Sequence, residues 1–354
     1  MSFSEKLKDW FDIHKRSLPW RETNDPYIIW LSEIILQQTR VRQGLPYFTA
    51  FKERFPNVNA LAVASQDEVL KMWEGLGYYS RARNMHYAAR QVVDEYGGRF
   101  PCYYNNLIKL KGVGDYTASA VASISNNEKV AVVDGNVFRV LSRIFGITKP
   151  INTNEGSRIF KNKANSLLPD NETGIYNQAL MEFGALQCVP KNPHCSTCPF
   201  NSICYAFKNS LQQQLPVKLK KTSVKTVYMN YLIPVDPSGK TLIYKRKGKG
   251  IWEGLFEFPL LESNKPVDKE YIRNSEIFQE VVKKADYQLH LYNRQPKKHL
   301  LTHRKLLASF WIIEIDHIDA ELENYYHITD KIKIENFAFP VLLSNFIRKF
   351  FFFT

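Results

Sequence analysis

The chain has 354 residues, of which 44% are hydrophobic and 23% are charged. This length exceeds one ordinary domain and fits two, and the composition excludes a chain dominated by disorder. The 48 Lys and Arg residues outnumber the 35 Asp and Glu residues and give a net charge of +13, which favours a polyanionic partner such as nucleic acid over a merely solubilising surface.

The sequence has no run of about 18 apolar residues, so it predicts no transmembrane helix and no membrane partner. Its first six residues, MSFSEK, lack the apolar core of a signal peptide, so we expect no export. Of the five cysteines, four lie close together. This distribution does not resemble the disulfide framework of a secreted protein.

The first two hundred residues are typical of short helices joined by Gly, Pro and Asn. In Asn24-Asp25-Pro26, a capping side chain precedes a proline, as at many helix starts. Apolar residues then recur at helical spacing and predict a helix over 27–39. The same pattern predicts further helices over 66–73, 82–96, 118–125 and 137–145.

A polar, basic stretch without periodicity covers 209–225 and is typical of a linker. The chain beyond it is rich in β-branched and aromatic residues, with strands predicted over 227–234, 241–246 and 310–315 and a turn over 236–239. We therefore expect an all-α domain followed by a smaller α+β domain. The terminal run Phe350–Phe353 is expected to pack on the second core.

Four cysteines share one loop with the spacing Cys-x6-Cys-x2-Cys-x5-Cys: Cys188, Cys195, Cys198 and Cys204. Structural zinc usually takes two tight cysteine pairs far apart in sequence. Only one Cys-x2-Cys pair occurs here, which favours one [4Fe–4S] cluster. Such a cluster could staple the loop or carry electrons, and four unrelated buried thiols are the structural alternative.

A Gly-x-Gly turn, Lys111-Gly112-Val113-Gly114, separates two predicted helices. Both glycines are expected to allow a backbone turn that a Cβ would block. The exposed N–H groups of the turn and the start of the next helix then form a candidate site for DNA phosphate, with Lys109 and Lys111 beside it. Most turns of this kind are simply turns.

This hairpin, the segment VDGNV at 133–137 and the four-cysteine loop together resemble the helix-hairpin-helix DNA glycosylase superfamily. Within it, Pro19-Trp20-Arg21, WLSEIILQQT at 30–39 and GLGYYSRA at 75–82 resemble adenine DNA glycosylases of the MutY type. The match runs in order through 1–208, and WEGLFEFP at 252–259 resembles that family's C-terminal domain.

The resemblance implies a multidomain fold. An all-α catalytic domain covers 1–208, with the helix-hairpin-helix at 105–125 and the iron–sulfur loop at 188–204. The linker covers 209–225, and an α+β MutT-like domain of the Nudix fold, which reads the lesion, covers 226–354. The implied activity is removal of adenine mispaired with 8-oxoguanine or guanine in double-stranded DNA.

Removing adenine requires an acid on the base side and an anion near the cationic sugar, as in sugar hydrolysis. Glu33 lies on a strongly apolar helix, where a carboxyl tends to have a raised pKa and keep its proton. The resemblance implies that it protonates N7 of adenine. An ion pair with Arg40, or a cap on a neighbouring element, is the structural alternative.

Asp134 is the candidate anion, because the start of the following helix favours its ionised form. It could stabilise the cation by its charge or attack it transiently. Asp before a helix is most often only a cap, but Asp134 and Asn136 offer two capping side chains, so one is expected to be available for another task. The resemblance implies that Asp134 interacts with the sugar and that Asn136 makes a supporting hydrogen bond.

Tyr116 bears on whether the enzyme also cuts the DNA backbone. Superfamily members that do so carry Lys two residues after the second hairpin glycine, where it forms a Schiff base. Tyr116 occupies that position here and has no amine. We therefore predict a monofunctional glycosylase, in which Tyr116 supports the reacting site by hydrogen bonding through Asp134.

Extruding a base costs a few kcal/mol, and something must fill the gap. The resemblance places Gln38, Leu36 and Tyr78 beside the lesion. It also places residues around the flipped adenine, where Gln178 could donate and accept hydrogen bonds; these are Trp20, Arg21 and Gln178. Taken singly, each of these residues is equally compatible with ordinary packing.

In the second domain, Leu300-Leu301-Thr302-His303-Arg304 corresponds to a Phe-Ser-His loop that reads 8-oxoguanine in the family. Leu301 replaces the aromatic wedge and stacks less well than Phe. A hydroxyl and an imidazole are kept in Thr302 and His303, so we expect lesion reading to be retained. Residues 270–280 lack the glutamate-rich pattern of nucleotide pyrophosphohydrolases, so we predict no nucleotide hydrolysis.

Two rival functions stay open at this point. One is a bifunctional glycosylase and lyase for oxidised pyrimidines, against which Tyr116 and the extra domain argue. The other is a non-catalytic iron–sulfur protein that binds DNA or senses redox state. We expect a monomer, located in the cytoplasm and associated with the nucleoid if the source is bacterial.

Overall fold

The computed structural model describes residues 2–219 and 224–352. Contacts between Cα atoms divide these residues into two compact units. The first unit holds residues 2–64 and 84–219, and the second holds residues 65–83 and 224–352. The segment 65–83, which the sequence places inside the helical domain, therefore packs with the C-terminal residues.

The first unit is helical. Its helices are α1 (Phe3–His14), α2 (Pro26–Leu36), α3 (Val41–Arg54), α4 (Val58–Val63), α6 (Ser80–Tyr96, most of which lies in this unit), α7 (Tyr104–Leu107), α8 (Asp115–Asn126), α9 (Gly135–Phe145), α10 (Asn154–Asn165), α11 (Thr173–Leu186) and α12 (Tyr205–Lys208), with a 3-10 turn at Pro19–Arg21. Helix α5 (Gln66–Met72) belongs to the second unit.

Local sequence explains where these helices begin. The carboxylate of Asp25 accepts a hydrogen bond from the backbone N–H of Tyr27 at 2.8 Å, with Pro26 in the first turn, so the predicted start of α2 is confirmed. The other four predicted helices are also present, and their ends agree with the prediction to within three residues. Helix α2 packs against α8, and α11 packs against α1, α8 and α9.

The core of the first unit forms where α1, α9, α10 and α11 meet. Its largest fully buried side chains include Phe160, Phe183 and Phe200. The described part of the predicted linker, through 219, lies against this unit, because Leu215 is buried in the same core and its carbonyl accepts from Arg143. Residues 220–223 of that linker lie outside the described residues.

The second unit contains two sheets. The strands are β1 (Lys225–Val235), β2 (Lys240–Lys245), β3 (Phe256–Glu257), β4 (Leu260–Ser263), β5 (Tyr287–Leu291), β6 (Lys297–Leu300), β7 (Arg304–Ile315) and β8 (His327–Asp330). One sheet has the order β4-β1-β7-β5 with β6 also on β7, and the other has the order β3-β2-β8. The predicted strands are confirmed, although β1 and β2 lie in different sheets.

Strands β1 and β7 run parallel, with Lys225 opposite Arg304, and the other pairs are antiparallel. The helices of this unit beyond α5 are α13 (Lys269–Arg273), α14 (Glu276–Val282) and α15 (Val341–Phe352), with 3-10 turns at Ala320–Asn324 and Ile334–Asn336. Phe346 stacks on Phe310 with ring centroids 4.1 Å apart.

The terminal phenylalanines follow the prediction only in part. The ring of Phe350 stacks on Phe346 and meets Tyr292 edge-on. Phe352 is exposed, and Phe353 lies outside the described residues. The whole arrangement agrees with the expected all-α domain followed by an α+β domain.

Candidate active site

Glu33 lies in the middle of α2, and nine of the eleven residues of that helix are buried. Its side chain is almost fully enclosed, because α2 packs against α8. The carboxyl accepts a hydrogen bond from the hydroxyl of Tyr116 at 2.5 Å. The alternative of an ion pair with Arg40 does not describe this arrangement, since Arg40 is exposed at the start of α3.

The environment of Glu33 suits a proton donor. Burial raises its pKa from the ordinary value of 4.5 to about 7, and the charge of Asp134 acts in the same direction. The hydrogen bond from Tyr116 and the charge of Arg21 lower the pKa and offset part of that rise. A carboxyl with a pKa near neutral pH can hold a proton and then release it, as general acid catalysis requires.

The hydroxyl of Tyr116 donates its hydrogen bond to Glu33 and not to Asp134. The predicted support through Asp134 is therefore wrong. The reason is tertiary: Tyr116 lies in the first turn of α8, which packs directly on α2. Burial and the two nearby carboxylates raise the pKa of Tyr116 well above its ordinary value, so it stays a hydrogen-bond donor. Its hydroxyl also lies 3.8 Å from the sulfur of Met181, a neighbour that sequence reasoning missed.

Asp134 is the N-cap of α9, with one oxygen accepting from the backbone N–H of Val137 at 2.7 Å. Its other oxygen accepts from the side-chain amide of Asn136 at 2.8 Å, as the resemblance implied. Of the two candidate capping side chains, Asp134 is therefore the one that caps α9, and Asn136 instead bonds to Asp134. A carboxylate has about four lone-pair sites, so the cap leaves acceptor capacity for a cation.

Burial raises the pKa of Asp134 above its ordinary value, although the hydrogen bonds from Val137 and Asn136 and the charge of Arg139 lower it. The backbone N–H groups at the start of α9 lower the pKa of Asp134, as expected, but burial raises it by more. Arg139 also donates to the side-chain oxygen of Asn136 at 2.8 Å. Asn136 is therefore held from both sides in the orientation that supports Asp134.

A network of ion pairs includes Arg21, one of the predicted adenine-side residues. Arg21 and Arg16 both donate to the carboxylate of Glu182, which is 1% exposed. Burial raises the pKa of Glu182, but the hydrogen bonds from the two guanidinium groups lower it to about 2. Sequence reasoning missed Glu182 and Arg16, because no local pattern marks a carboxylate that pairs with residues about 160 positions away.

The remaining predicted site residues of the first unit differ in how exposed they are. Trp20 is buried and packs edge-on against Phe48, which fits the structural interpretation. Gln178 is partly buried and, with Arg21, lines a cleft of about 860 Å³ in the first unit. Leu36 ends α2, and Gln38 follows it, exposed and with a φ of 57°.

The Gly-x-Gly turn depends on one of its two glycines. Gly112 has a φ of +78°, and a Cβ there would lie 2.6 Å from the Cβ of Asn84. Gly114 has a φ of −97° and open space where its Cβ would be, so the expectation that both glycines are needed for the turn is wrong. The missing Cβ of Gly114 instead leaves the start of α8 uncovered.

Two of the candidate phosphate-binding N–H groups are used within the fold. The N–H of Lys111 donates to the side-chain oxygen of Gln91, and the N–H of Val113 donates to the carbonyl of Leu110. The side chain of Lys111 is exposed, as are Gly112 and Gly114. The candidate phosphate site is therefore limited to the side chain of Lys111 and the backbone around the two glycines.

The four loop cysteines lie near enough to one another for their charges to interact, and burial raises the pKa of Cys195, Cys198 and Cys204. The backbone N–H of Phe200 lies 3.4 Å from the sulfur of Cys198. Among the described residues, no group of three or more His, Cys, Asp or Glu side chains is spaced to hold a metal ion. The donor chemistry fits a cluster, but the thiols are not positioned for a single ion.

The second unit holds its own cleft, of about 770 Å³, lined by Tyr78, Thr302 and His303 among others. The hydroxyls of Tyr78 and Thr302 are 3.0 Å apart. Leu301 is partly buried, and its N–H donates to the carbonyl of Arg304. Trp252 and His299, which sequence reasoning missed, line the same cleft with their rings 5.7 Å apart.

Two family models match the chain. Residues 31–165 match the HhH-GPD superfamily of base excision DNA repair proteins, and residues 230–349 match the NUDIX domain. A thermostable thymine-DNA glycosylase of known structure is similar over 58% of this chain and 95% of its own, with a TM-score of 0.55 and 30% identity. An endonuclease III in a non-covalent DNA complex shares the fold over 60% of this chain and 100% of its own, at 20% identity and a TM-score of 0.51. Fold and site thus define a DNA glycosylase of the helix-hairpin-helix class joined to a NUDIX domain.

Curated relatives narrow the class. An adenine DNA glycosylase of Buchnera aphidicola subsp. Baizongia pistaciae is 34% identical over 88% of this chain and 86% of its own length. That of Buchnera aphidicola subsp. Schizaphis graminum is 36% identical over 73% and 74%. The human enzyme is 41% identical over 60% of this chain and 41% of its own. This chain belongs to the adenine DNA glycosylase family, whose members are hydrolytic DNA N-glycosylases of base excision repair.

Among the described residues, no helix has the length and apolar character needed to span a membrane.

Proposed function

We propose that the enzyme excises adenine mispaired with 8-oxoguanine, and also adenine opposite guanine, by hydrolysis of the N-glycosidic bond. Glu33 is the general acid, and Asp134 stabilises the sugar cation. The observation that carries the proposal is the buried carboxyl of Glu33, which accepts a hydrogen bond from Tyr116 and whose pKa is raised by burial to about 7.

In this mechanism, the proton of Glu33 passes to N7 of adenine. The bond between C1′ and the base then breaks, and its electron pair leaves with the neutral purine. Asp134, held by Val137 and Asn136, stabilises the positive charge at C1′ by its own charge or by a transient bond to that carbon. Water finally adds to C1′, and the proton that it loses returns to Glu33.

The decisive experiment is Glu33→Gln, which keeps the size of the side chain and removes its proton. We expect the single-turnover rate on an A:8-oxoguanine duplex to fall by at least the roughly 10²–10⁴-fold that general acid catalysis supplies. Glu53→Gln, at an exposed position of α3, is the matched control. An unchanged rate in a folded Glu33→Gln variant would eliminate this mechanism, whereas binding without any excision by the unaltered protein would favour a non-catalytic DNA-binding protein.

We propose that the enzyme does not cut the DNA backbone, because Tyr116 is hydrogen-bonded to Glu33 and has no amine for a Schiff base. Product strands should stay intact until alkali is added. Strand cleavage at enzyme stoichiometry without alkali would instead support the bifunctional enzyme.

The cleft of the second unit is proposed to read 8-oxoguanine through Thr302 and His303, with Tyr78 beside the lesion. The double variant with Thr302→Ala and His303→Ala should lower the preference for A:8-oxoguanine over A:G. If the variant weakens binding to both duplexes equally, this loop reads no lesion. We propose no nucleotide hydrolysis by the NUDIX domain, and a monomeric, cytoplasmic, nucleoid-associated state if the source is bacterial.

The loop from 188 to 204 is proposed to hold one [4Fe–4S] cluster through Cys188, Cys195, Cys198 and Cys204. When bound, the cluster would staple the loop against α9, whose Arg143 already donates to the sulfur of Cys188 and to the carbonyls of Val189 and Pro190. A broad absorption band near ~400 nm in the purified protein is the expected signature. A colourless zinc protein would contradict the assignment.

A further inference from the structure

The loop that carries Tyr78 has an unusual backbone. It connects α5 to α6 over residues 73–79, which we call the wedge loop, and it lies wholly in the second unit. Three of its residues have positive φ: Gly75 at +99°, Gly77 at +73° and Tyr78 at +48°. Glycine adopts such angles readily, whereas tyrosine does so only where its surroundings enforce them.

Arg81, in the first turn of α6, provides much of that enforcement. It is only 9% exposed, and its guanidinium group donates to the carbonyls of Leu76 at 3.3 Å and Gly77 at 3.2 Å. The indole N–H of Trp73 donates to the same Gly77 carbonyl at 3.0 Å. Two donors therefore meet on the carbonyl of the residue directly before Tyr78.

The same guanidinium also contacts the aromatic side chains of the loop. It lies over the ring of the fully buried Trp73 at 5.0 Å and over the ring of Tyr78 at 5.9 Å. Both separations lie within the range of cation–π attraction. The planar fork of arginine can stack on a ring and bond two carbonyls at once, which the compact ammonium of lysine cannot reproduce.

We propose that Arg81 is a positioning residue for base unstacking: it holds the wedge loop so that Tyr78 projects, half exposed, into the cleft beside Thr302. Arg81 acts on the duplex only through Tyr78. The inference rests on the proposed function, because it needs Tyr78 to insert beside the lesion. It concerns binding and distortion of DNA, whereas proton donation belongs to Glu33 in the first unit.

The test uses a duplex that binds but is not cleaved. The target deoxyadenosine carries a 2′-fluorine, which destabilises the cationic sugar, and 2-aminopurine next to the 8-oxoguanine reports unstacking as a rise in fluorescence. Arg81→Met should lower affinity about tenfold, within the range that base–aromatic stacking supplies, and should abolish most of the fluorescence rise. Arg81→Lys should recover part of both, and Arg90→Met, an exposed arginine of the same helix, should change neither.

A double-mutant cycle separates positioning from general stabilisation. In a Tyr78→Leu background, Arg81→Met should cost less than a further twofold in affinity. Full additivity of the two effects would overturn the proposal, as would a normal fluorescence rise in Arg81→Met. If Arg81→Met does not fold, Arg81→Lys replaces it in the cycle.

The outcome of this test does not depend on whether Glu33 is the general acid. If Tyr78→Leu itself changes neither affinity nor fluorescence, the wedge is absent and the inference falls with it. Loss of excision in Glu33→Gln would still stand in that case.

Discussion

The hydrogen bond from Tyr116 lowers the pKa of the buried Glu33 and thereby affects the pH range in which Glu33 can donate a proton. Burial raises the pKa of Glu33 to about 7, and the hydroxyl of Tyr116 limits that rise. Because excision needs the protonated carboxyl, we expect the single-turnover rate to fall as the pH rises through about 7. The pH profile of single-turnover excision measures this directly.

Tyr116→Phe should move that profile. Removing the hydroxyl removes a group that lowers the pKa of Glu33, so the descending limb should shift to higher pH. Tyr104→Phe is the matched control, since the hydroxyl of Tyr104 donates to Asp115 and not to Glu33. An unmoved limb in Tyr116→Phe would mean that another group titrates.

The same pKa bears on stability. Between pH 4.5 and about 7, the folded protein keeps the proton of Glu33 while the unfolded chain loses it. The unfolded state therefore binds fewer protons, and this residue's contribution to the free energy of unfolding falls as the pH rises through that range. Urea unfolding of the protein and of Glu33→Gln across this range should show the difference.

Glu182 should be among the residues on which stability depends most. Its carboxylate, 1% exposed, faces Arg16 and Arg21, so Glu182→Gln leaves two guanidinium groups without their counter-charge. Because the side chain of Arg16 is 37% exposed and that of Arg21 is 16% exposed, the loss should be smaller than the roughly 3–5 kcal/mol that breaking a fully buried pair costs. Asp170→Asn, which breaks the exposed pair with Lys129, should cost much less. Similar losses in the two variants, measured by urea unfolding, would contradict this interpretation.

At the scale of elements, the two glycines of the hairpin before α8 have different roles. Gly112→Ala should destabilise the fold by about 1–2 kcal/mol, because alanine is disfavoured at a φ of +78° and would approach Asn84. Gly114→Ala should change the free energy of unfolding by under about 0.5 kcal/mol, because its backbone is ordinary and the space is open.

Gly114→Ala also tests DNA binding, because it should leave the fold nearly unchanged. Gly114→Ala places a methyl group at the start of α8, where a phosphate would approach, so affinity should fall equally for A:8-oxoguanine and A:G duplexes. A loss confined to one duplex would mean that this turn reads bases.

Sequence patterns predicted most elements because the signals are local. The cap at Asp25, the apolar face of α2 and the turn at 236–239 each depend on residues within a few positions. Pairing of strands depends on the whole sheet. The turn at 236–239 follows β1 and precedes β2, yet β1 pairs with the distant β7 and β2 with β8.

At the scale of the molecule, the net charge of +13 should control affinity for DNA. Contacts to phosphates release counterions, so the logarithm of affinity should fall linearly with the logarithm of salt concentration. The slope should be the same for A:8-oxoguanine and A:G, since phosphate contacts carry no sequence information, and only the intercepts should differ. Titrations between about 50 and 200 mM salt test this. Different slopes would mean that the contacts between charged side chains and phosphates contribute to lesion recognition.

By itself, the sequence determined the two-domain class, the position of Glu33 within a helix and of Asp134 just before one, the missing lysine at Tyr116 and the cysteine spacing. These depend on residue type and on near neighbours in the chain. Only the tertiary structure decided that Tyr116 bonds Glu33, that Glu182 pairs with Arg16 and Arg21, and that 65–83 packs with the C-terminal residues. Each of these joins positions tens to hundreds of residues apart, and their distance is set by how buried surfaces pack and not by any local pattern.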